Sequence, residues 1–175
     1  MAEITVTGGE LRGRRLQVPK AGVRPTTGRV REAIFSMLGD VEGAAVLDLF
    51  AGSGALGIEA LSRGAASATL VDREPAAARR NIEALGLGDR AEAVRMDAVR
   101  FLKRSKERFD LVTCDPPYRL ADRVADELVQ LIPGALSGGG RAVIESSPKR
   151  PLDLQLSLLT ERGYGDTMIR IYGDE

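Results

Sequence analysis

Four acids, Asp48, Asp72, Asp97 and Asp115, stand at or near the ends of apolar runs, and they are the residues best placed to do chemistry. Asp115 opens the run Asp115-Pro116-Pro117-Tyr118. Two consecutive prolines lack N–H donors and fix a stiff, extended turn, which leaves carbonyl oxygens free to face a ligand. Asp115 offers a carboxylate acceptor, and Tyr118 a flat face on which a base can stack. An exocyclic amino group on a base is a poor nucleophile, because its lone pair is delocalised into the ring. The Asp115 carboxylate and the Pro116 carbonyl can hold both of its N–H bonds and favour a geometry that exposes the lone pair. Attack on an activated methyl group then becomes mainly a matter of positioning. A rigid loop ending a strand is the plainer alternative, and the acid–Pro–Pro–aromatic order beside the other acids argues against it.

The second constellation is Val46-Leu47-Asp48-Leu49-Phe50-Ala51-Gly52-Ser53-Gly54-Ala55-Leu56-Gly57. An apolar run ends in an acid and an aromatic, and glycines follow at the spacing G-x-G-x-x-G. A strand, a glycine turn and a helix start make a place to hold a nucleotide-like ligand, because the backbone can come close and the helix start offers unpaired N–H groups. Alone, the glycine pattern is a weak signal; here the predicted strand–turn–helix context is the one it requires. Asp72 ends the next predicted strand, 20 residues after Gly52, where an acid can accept from both ribose hydroxyls. Asp48 before the turn suits a ligand with a positive ammonium group and is ill placed beside a pyrophosphate, which favours S-adenosylmethionine over a dinucleotide. Asp97 can accept from the amino group of adenine and can also cap the helix that begins at Ala98; the two roles are compatible. Arg73 is either a cover for the adenine or a solvated cation. The candidate cofactor residues are therefore Asp48, Phe50, Gly52, Ser53, Gly54, Asp72, Arg73, Asp97 and Ala98.

Missing residues narrow the chemistry. There is no histidine and one cysteine, Cys114, which excludes Ser-His-Asp and Cys-His catalysis, His-ligated metals, an internal disulfide and Cys-x-x-Cys sites. No metal is expected, and Cys114 reads as a small core residue on an apolar strand. A chain of 175 residues fits one domain with a small appendage. Its 43% hydrophobic and 29% charged residues argue against disorder. No apolar run approaches the ~20 residues of a membrane helix, and Met1-Ala2-Glu3-Ile4-Thr5-Val6 lacks the character of a signal peptide. The expected address is cytoplasmic, with no membrane partner. Charge is zero overall but uneven: Glu10 to Arg31 holds seven cations against one acid, a net +6, so the rest of the chain carries −6. Such a segment suggests a polyanion met by one face, although a solvated basic surface fits as well.

These residues need elements to hold them. Residues 3–18 alternate weakly around Gly8-Gly9 and Gly13, which predicts two short strands joined by a turn. Thr26 or Thr27 can cap a helix over about 28–38 that ends before Gly39. This opening module is too small for a core of its own. Strands are predicted at 45–50, 67–72, 91–96, 109–115 and 140–146, and helices at about 54–63, 75–85, 97–105 and 121–132. Four strand–helix alternations with apolar strands imply a parallel sheet covered on both faces and crossed over right-handedly. The carboxyl ends of its strands would gather the four acids into one crevice. Glycines 138–140 read as a turn, and Phe101 and Tyr172 as packing. Residues 154–161 suit a short helix or a strand; 167–172 suits a strand, with Tyr164-Gly165-Asp166 as a tight turn of an antiparallel pair.

Taken together, these residues resemble class I S-adenosylmethionine-dependent methyltransferases, and more closely the RsmD family, which methylates the N2 amino group of one guanine in 16S ribosomal RNA. Three stretches carry the resemblance: Arg24-Pro25-Thr26-Thr27-Gly28-Arg29-Val30-Arg31-Glu32, Asp48 to Gly64, and Asp115 to Tyr118. With Gly8-Gly9 and Gly13-Arg14 they cover nearly the whole chain. The first stretch is specific to that family, and the others are shared among amino-group methyltransferases. The resemblance implies a Rossmann-like, doubly wound α/β fold with a mostly parallel seven-stranded sheet. Residues 1–40 would form an RNA-contacting β-hairpin and helix, and 41–175 the methyltransferase domain. It implies a target-base site at Asp115, Pro116, Pro117 and Tyr118. RNA contacts would come from Arg12, Arg14, Arg15, Arg24, Thr26, Thr27, Arg29 and Arg31. The cofactor would be S-adenosylmethionine, released as S-adenosylhomocysteine, and the partner 16S rRNA within the 30S subunit or a late assembly particle, met by a monomer. Three other readings stand beside this one. A DNA adenine-N6 methyltransferase uses the same acid–Pro–Pro–aromatic chemistry but would have little room for a sequence-reading domain. A dinucleotide-dependent oxidoreductase leaves the proline run and the basic segment unexplained. An RNA-binding protein without catalysis is argued against by the intact acid and aromatic.

Overall fold

The computed structural model describes residues 2–19 and 25–174. Glu3–Thr5 (β1) and Arg15–Gln17 (β2) pair antiparallel, and helix α1 (Gly28–Leu38) follows. Thr27 caps α1 by accepting from the Val30 N–H, as a threonine before a helical stripe should. Then come β3 (Ala45–Leu49), α2 (Ala55–Ser62), β4 (Ser67–Asp72), α3 (Ala76–Ala84), β5 (Ala91–Arg95), α4 (Ala98–Arg104) and β6 (Phe109–Cys114). Helix α5 (Tyr118–Ala135), β7 (Leu136–Ser146), β8 (Ser157–Tyr164) and β9 (Thr167–Gly173) complete the chain.

The large sheet has seven strands in the order β5-β4-β3-β6-β7-β9-β8. The first five run parallel, β9 is antiparallel to β7, and β8 is antiparallel to β9. Strand order reverses between β3 and β6, the switch point where a doubly wound sheet opens a crevice at its carboxyl ends. Two apolar layers cover the faces. On one side Val6, Leu16, Ile34, Phe35 and Leu38 join Ile58, Leu61 and Ile82 in one cluster, so the opening hairpin and α1 share the core of the sheet. On the other, Val99, Leu128 and Ile132 pack against Leu47, Val112 and Ile144. No helix among the described residues is long and apolar enough to cross a membrane.

Two elements depart from expectation, and a third takes one of the two forms the sequence left open. Helix α5 begins at Tyr118 rather than near 121, because Pro117 takes φ −58° and so leads into a first helical turn. It runs through Pro133 and passes into β7 without a loop. Gly138–Gly140 lie inside β7 rather than in a turn, opposite a register shift between Phe109 and Leu111, the irregularity that glycine in a strand often marks. Residues 157–164 are strand, not helix, and turn back through Gly165 and Asp166 into β9.

Candidate active site

Strand register brings the acids together. Asp48 stands opposite Thr113 on β6, whose hydroxyl donates to Asp48 Oδ1 at 2.8 Å, while the Gly57 N–H donates to Oδ2 at 3.0 Å. Asp48 is 2% exposed. Burial pushes its carboxyl up to about 6, with the Asp72 charge adding and the Thr113 and Gly57 bonds opposing. Asp48 thus fastens α2 to the sheet beneath the glycine turn. At Gly57 a Cβ would lie 2.2 Å from Leu70 Cδ2, so only glycine lets helix and strand approach so closely. Gly52 takes φ +56°, with open space where a Cβ would be. Its N–H donates to Asp72 Oδ2 at 2.8 Å, and the Glu74 N–H to Oδ1 at 2.8 Å. Phe50, just before the turn, takes φ +58°, a conformation costing a bulky residue about 1–3 kcal/mol that is typically kept at functional sites.

Above this turn lies an open cleft, lined by Val18, Pro25, Thr26, Asp48, Phe50, Gly52, Ser53 and Asp115. Its lining contains carboxylates and, among the described residues, no lysine or arginine. That donor set fits a ligand carrying an ammonium and a sulfonium. Asp97 caps α4 through the Arg100 N–H at 3.0 Å, and Arg73 donates to its other oxygen at 2.5 Å. Burial is the largest single influence on the Asp97 carboxyl and raises it, yet the hydrogen bonds from Arg100 and Arg73, with the Arg73 charge, together outweigh it and hold the carboxyl below its usual range.

A second cleft adjoins the first at Asp115. Pro116, Tyr118, Glu145, Ser146, Lys149 and Arg150 are among its lining. Tyr118 is 64% exposed at the start of α5, an aromatic face turned to solvent where a base can stack. Ser146 Oγ is buried with no hydrogen-bond partner. Sequence reading missed Glu145. It became visible only through register: β6 and β7 pair at Cys114 and Ile144, so Asp115 and Glu145 are the next neighbours. Thr26 joins them, its hydroxyl 3.0 Å from Glu145 Oε2 and 3.3 Å from Asp115 Oδ2. Burial, and then the Glu145 charge, push the Asp115 carboxyl well above its usual range, against the Thr26 hydrogen bond. Glu145 is raised too, chiefly by burial.

Among the described residues, the basic segment does not gather into one patch. Arg31 is 1% exposed and faces inward, a correction to its expected contact with RNA. Its Nη1 donates to the Thr26 carbonyl at 2.6 Å, its Nη2 to the Thr5 carbonyl at 2.5 Å, and its Nε lies 3.6 Å from Glu59. Burial holds its guanidinium below its usual value despite Glu59. Arg12, Arg14, Arg15 and Arg29 are exposed, with Arg15 paired to Glu3 at 3.4 Å. The hairpin tip carrying Arg12 is tied to Ser62, where Glu10 N–H meets the Ser62 carbonyl at 2.8 Å. That is the far end of α2, about 12 Å from the glycine turn at 1.5 Å per residue. Arg29 lies in the first turn of α1, three residues after Thr26. Thr27 serves as a cap and Thr26 faces the acids. Arg24 lies outside the described residues.

Residues 4–173 match the family described as conserved hypothetical protein 95. Ribosomal RNA small subunit methyltransferase D of Escherichia coli K12 is 38% identical over 183 residues, spanning 99% of this chain and 91% of that protein. The chain belongs to the RsmD family. The structure of YhhF from Escherichia coli superposes on it with a TM-score of 0.84 at 35% identity, covering 99% of both chains. A more distant structure, the 16S rRNA N2 G1207 methyltransferase of T. thermophilus in complex with AdoMet and guanosine, has a TM-score of 0.74 at 24% identity. It covers 99% of this chain and 50% of that one, and shares the fold. The RsmD assignment accords with the class I methyltransferase architecture and the small opening hairpin.

Proposed function

We propose that this protein methylates the exocyclic N2 amino group of a guanine in small-subunit ribosomal RNA, with S-adenosylmethionine as donor. One observation carries the reading most directly: an acid, two prolines and an exposed tyrosine follow β6 beside a cleft whose charged lining, among the described residues, is Asp48 and Asp115. The names of the E. coli relative and of the guanosine-bound structure point to the same substrate class. Asp48, Phe50, Gly52, Ser53 and Asp72 would hold the donor, with Asp97, Arg73 and Ala98 at the adenine end. When bound, the donor supplies an electrophilic methyl on sulfur: the amino nitrogen's lone pair takes it, the sulfur keeps the electrons of the broken bond, and one nitrogen proton is shed. The chain's own residues orient and deprotonate. Tyr118 stacks the flipped base, and Asp115 with the Pro116 carbonyl accepts its two N–H bonds. Residues 1–40 act as an extension that lends Thr26 to the site.

Calorimetry tests the cofactor assignment. S-adenosylhomocysteine and S-adenosylmethionine should bind and NAD should not; the reverse preference would remove the methyltransferase reading.

A further inference from the structure

A hydroxyl carries one proton and can donate to one carboxylate at a time. Thr26 Oγ lies within hydrogen-bond reach of two, Glu145 at 3.0 Å and Asp115 at 3.3 Å. Both contacts are hydrogen bonds only when one carboxyl is itself protonated and donates to Thr26 Oγ. The geometry therefore describes two acids with one proton between them, bridged by an alcohol. Their strands lie about 4.8 Å apart, so ionising both inside a half-buried crevice is unfavourable. Thr26 is held from behind: Arg31 grips its carbonyl at 2.6 Å, and Arg31 is in turn buried against Glu59. Thr7 and Gly8 donate to the same Glu59. A cluster this heavily braced is more than the cap of one helix requires, since Thr27 already caps α1.

We propose that Glu145 and Thr26 are positioning residues that form, with Asp115, a proton-sharing triad which takes up the proton shed by the methylated amino group. This rests on the amino-methyltransferase reading above. At rest, Glu145 holds the shared proton and donates to Thr26, whose own proton points at the Asp115 carboxylate. As the nitrogen–methyl bond forms, the nitrogen's proton passes to Asp115. Glu145, on the wall of the open second cleft, releases its proton to water. Asp115 then donates to Thr26 Oγ while the Thr26 proton moves to Glu145, and the resting state returns. One proton enters from nitrogen and one leaves to solvent, so no other reagent is consumed. The groups that bias this cycle are Asp48 from β3, Tyr118 and Asp122 from α5, and Lys149 and Arg150 beyond β7, with Arg150 paired to Asp122 at 2.5 Å.

The test is a carbon-13 NMR titration of the side-chain carboxyls in the cofactor-free protein, compared across Glu145→Gln, Thr26→Val and Thr26→Ser. In the parent the two carboxyls titrate in two coupled steps, the upper one raised by the charge left at the lower. Glu145→Gln removes the partner, so Asp115 should titrate in a single step about one pH unit or more below the pair's upper step. Thr26→Val removes a donor that favours the ionised form, so Asp115 should titrate higher, and Thr26→Ser should restore the parent value. The acid limb of kcat with ribosomal RNA as substrate should move with the same signs. In Thr26→Val, kcat should fall about 100-fold while cofactor affinity changes less than about twofold. An Asp115 titration that neither Glu145→Gln nor Thr26→Val moves would overturn the triad. The titration needs no substrate, so a protein that shows the shifts yet methylates no RNA would lose the assigned function alone. A protein that methylates RNA with unmoved carboxyls would lose the triad alone.

Discussion

Asp48 and Asp115 stand at the ends of neighbouring strands, one sealed beneath the glycine turn and one where the two clefts meet. Asp48 titrates near 6 in the folded chain, against about 3.9 for a free aspartate. The folded state therefore holds the proton more tightly, and this group stabilises the fold below about pH 4; that contribution is lost as pH rises through 6. Two units correspond to about 3 kcal/mol at most. Asp48→Asn keeps the shape without the charge, so its stability relative to the parent should improve between pH 4 and pH 7 by up to about 3 kcal/mol in urea titrations. A constant difference would contradict the burial argument. Asp115→Ala should abolish transfer, by about 100-fold or more in kcat, with donor affinity nearly unchanged in calorimetry; near-normal turnover would remove Asp115 from the reaction. Both acids were legible in sequence, because each sits beside a motif that a linear reading can see. Glu145 was not, and Thr26 was read only as a cap or an RNA contact, since their meeting depends on β6–β7 register and on where the loop before α1 lands.

The opening hairpin and α1 are bound to α2 through a buried ionic knot rather than by apolar contact alone. Glu59, fully buried, accepts from Thr7, Gly8 and Arg63 and lies beside Arg31. Breaking a buried pair strands the remaining charge, at a cost of about 3–5 kcal/mol. Arg31→Met should therefore lower unfolding stability by about that amount and reduce kcat through a displaced Thr26, while leaving the salt dependence of RNA binding as it was. A change in the salt slope would return Arg31 to the RNA surface. Hairpin and helix were readable from Gly8–Gly13 and the threonine cap. The inward turn of Arg31 was not, because a lone arginine in a basic run carries no mark of its buried partner 28 residues away. Likewise, the start of α5 and the span of β7 escaped a reading that took prolines and glycines only as breaks.

At the scale of the molecule, charge is distributed by end. Lys149 and Arg150 line the second cleft and the exposed Arg29 follows Thr26 by three residues, whereas Arg12 and Arg14 stand at the far end of the hairpin. RNA that delivers a base to Tyr118 should lie on the crevice rim. Arg29→Gln should then reduce the slope of log affinity against log salt by about 0.7–0.9, one phosphate's worth. The paired Arg12→Gln, Arg14→Gln variant should leave the slope unchanged, and an equal drop there would put the hairpin tip on the RNA. The central claim is a methyl group placed on guanine N2 of small-subunit RNA. Its most direct test is incubation with labelled S-adenosylmethionine of 30S subunits, naked 16S RNA and DNA, followed by nucleoside analysis. Labelled N2-methylguanosine is expected from the ribosomal RNA and none from DNA; labelled N6-methyladenine in DNA, or ribosomal RNA left without label, would overturn the assignment.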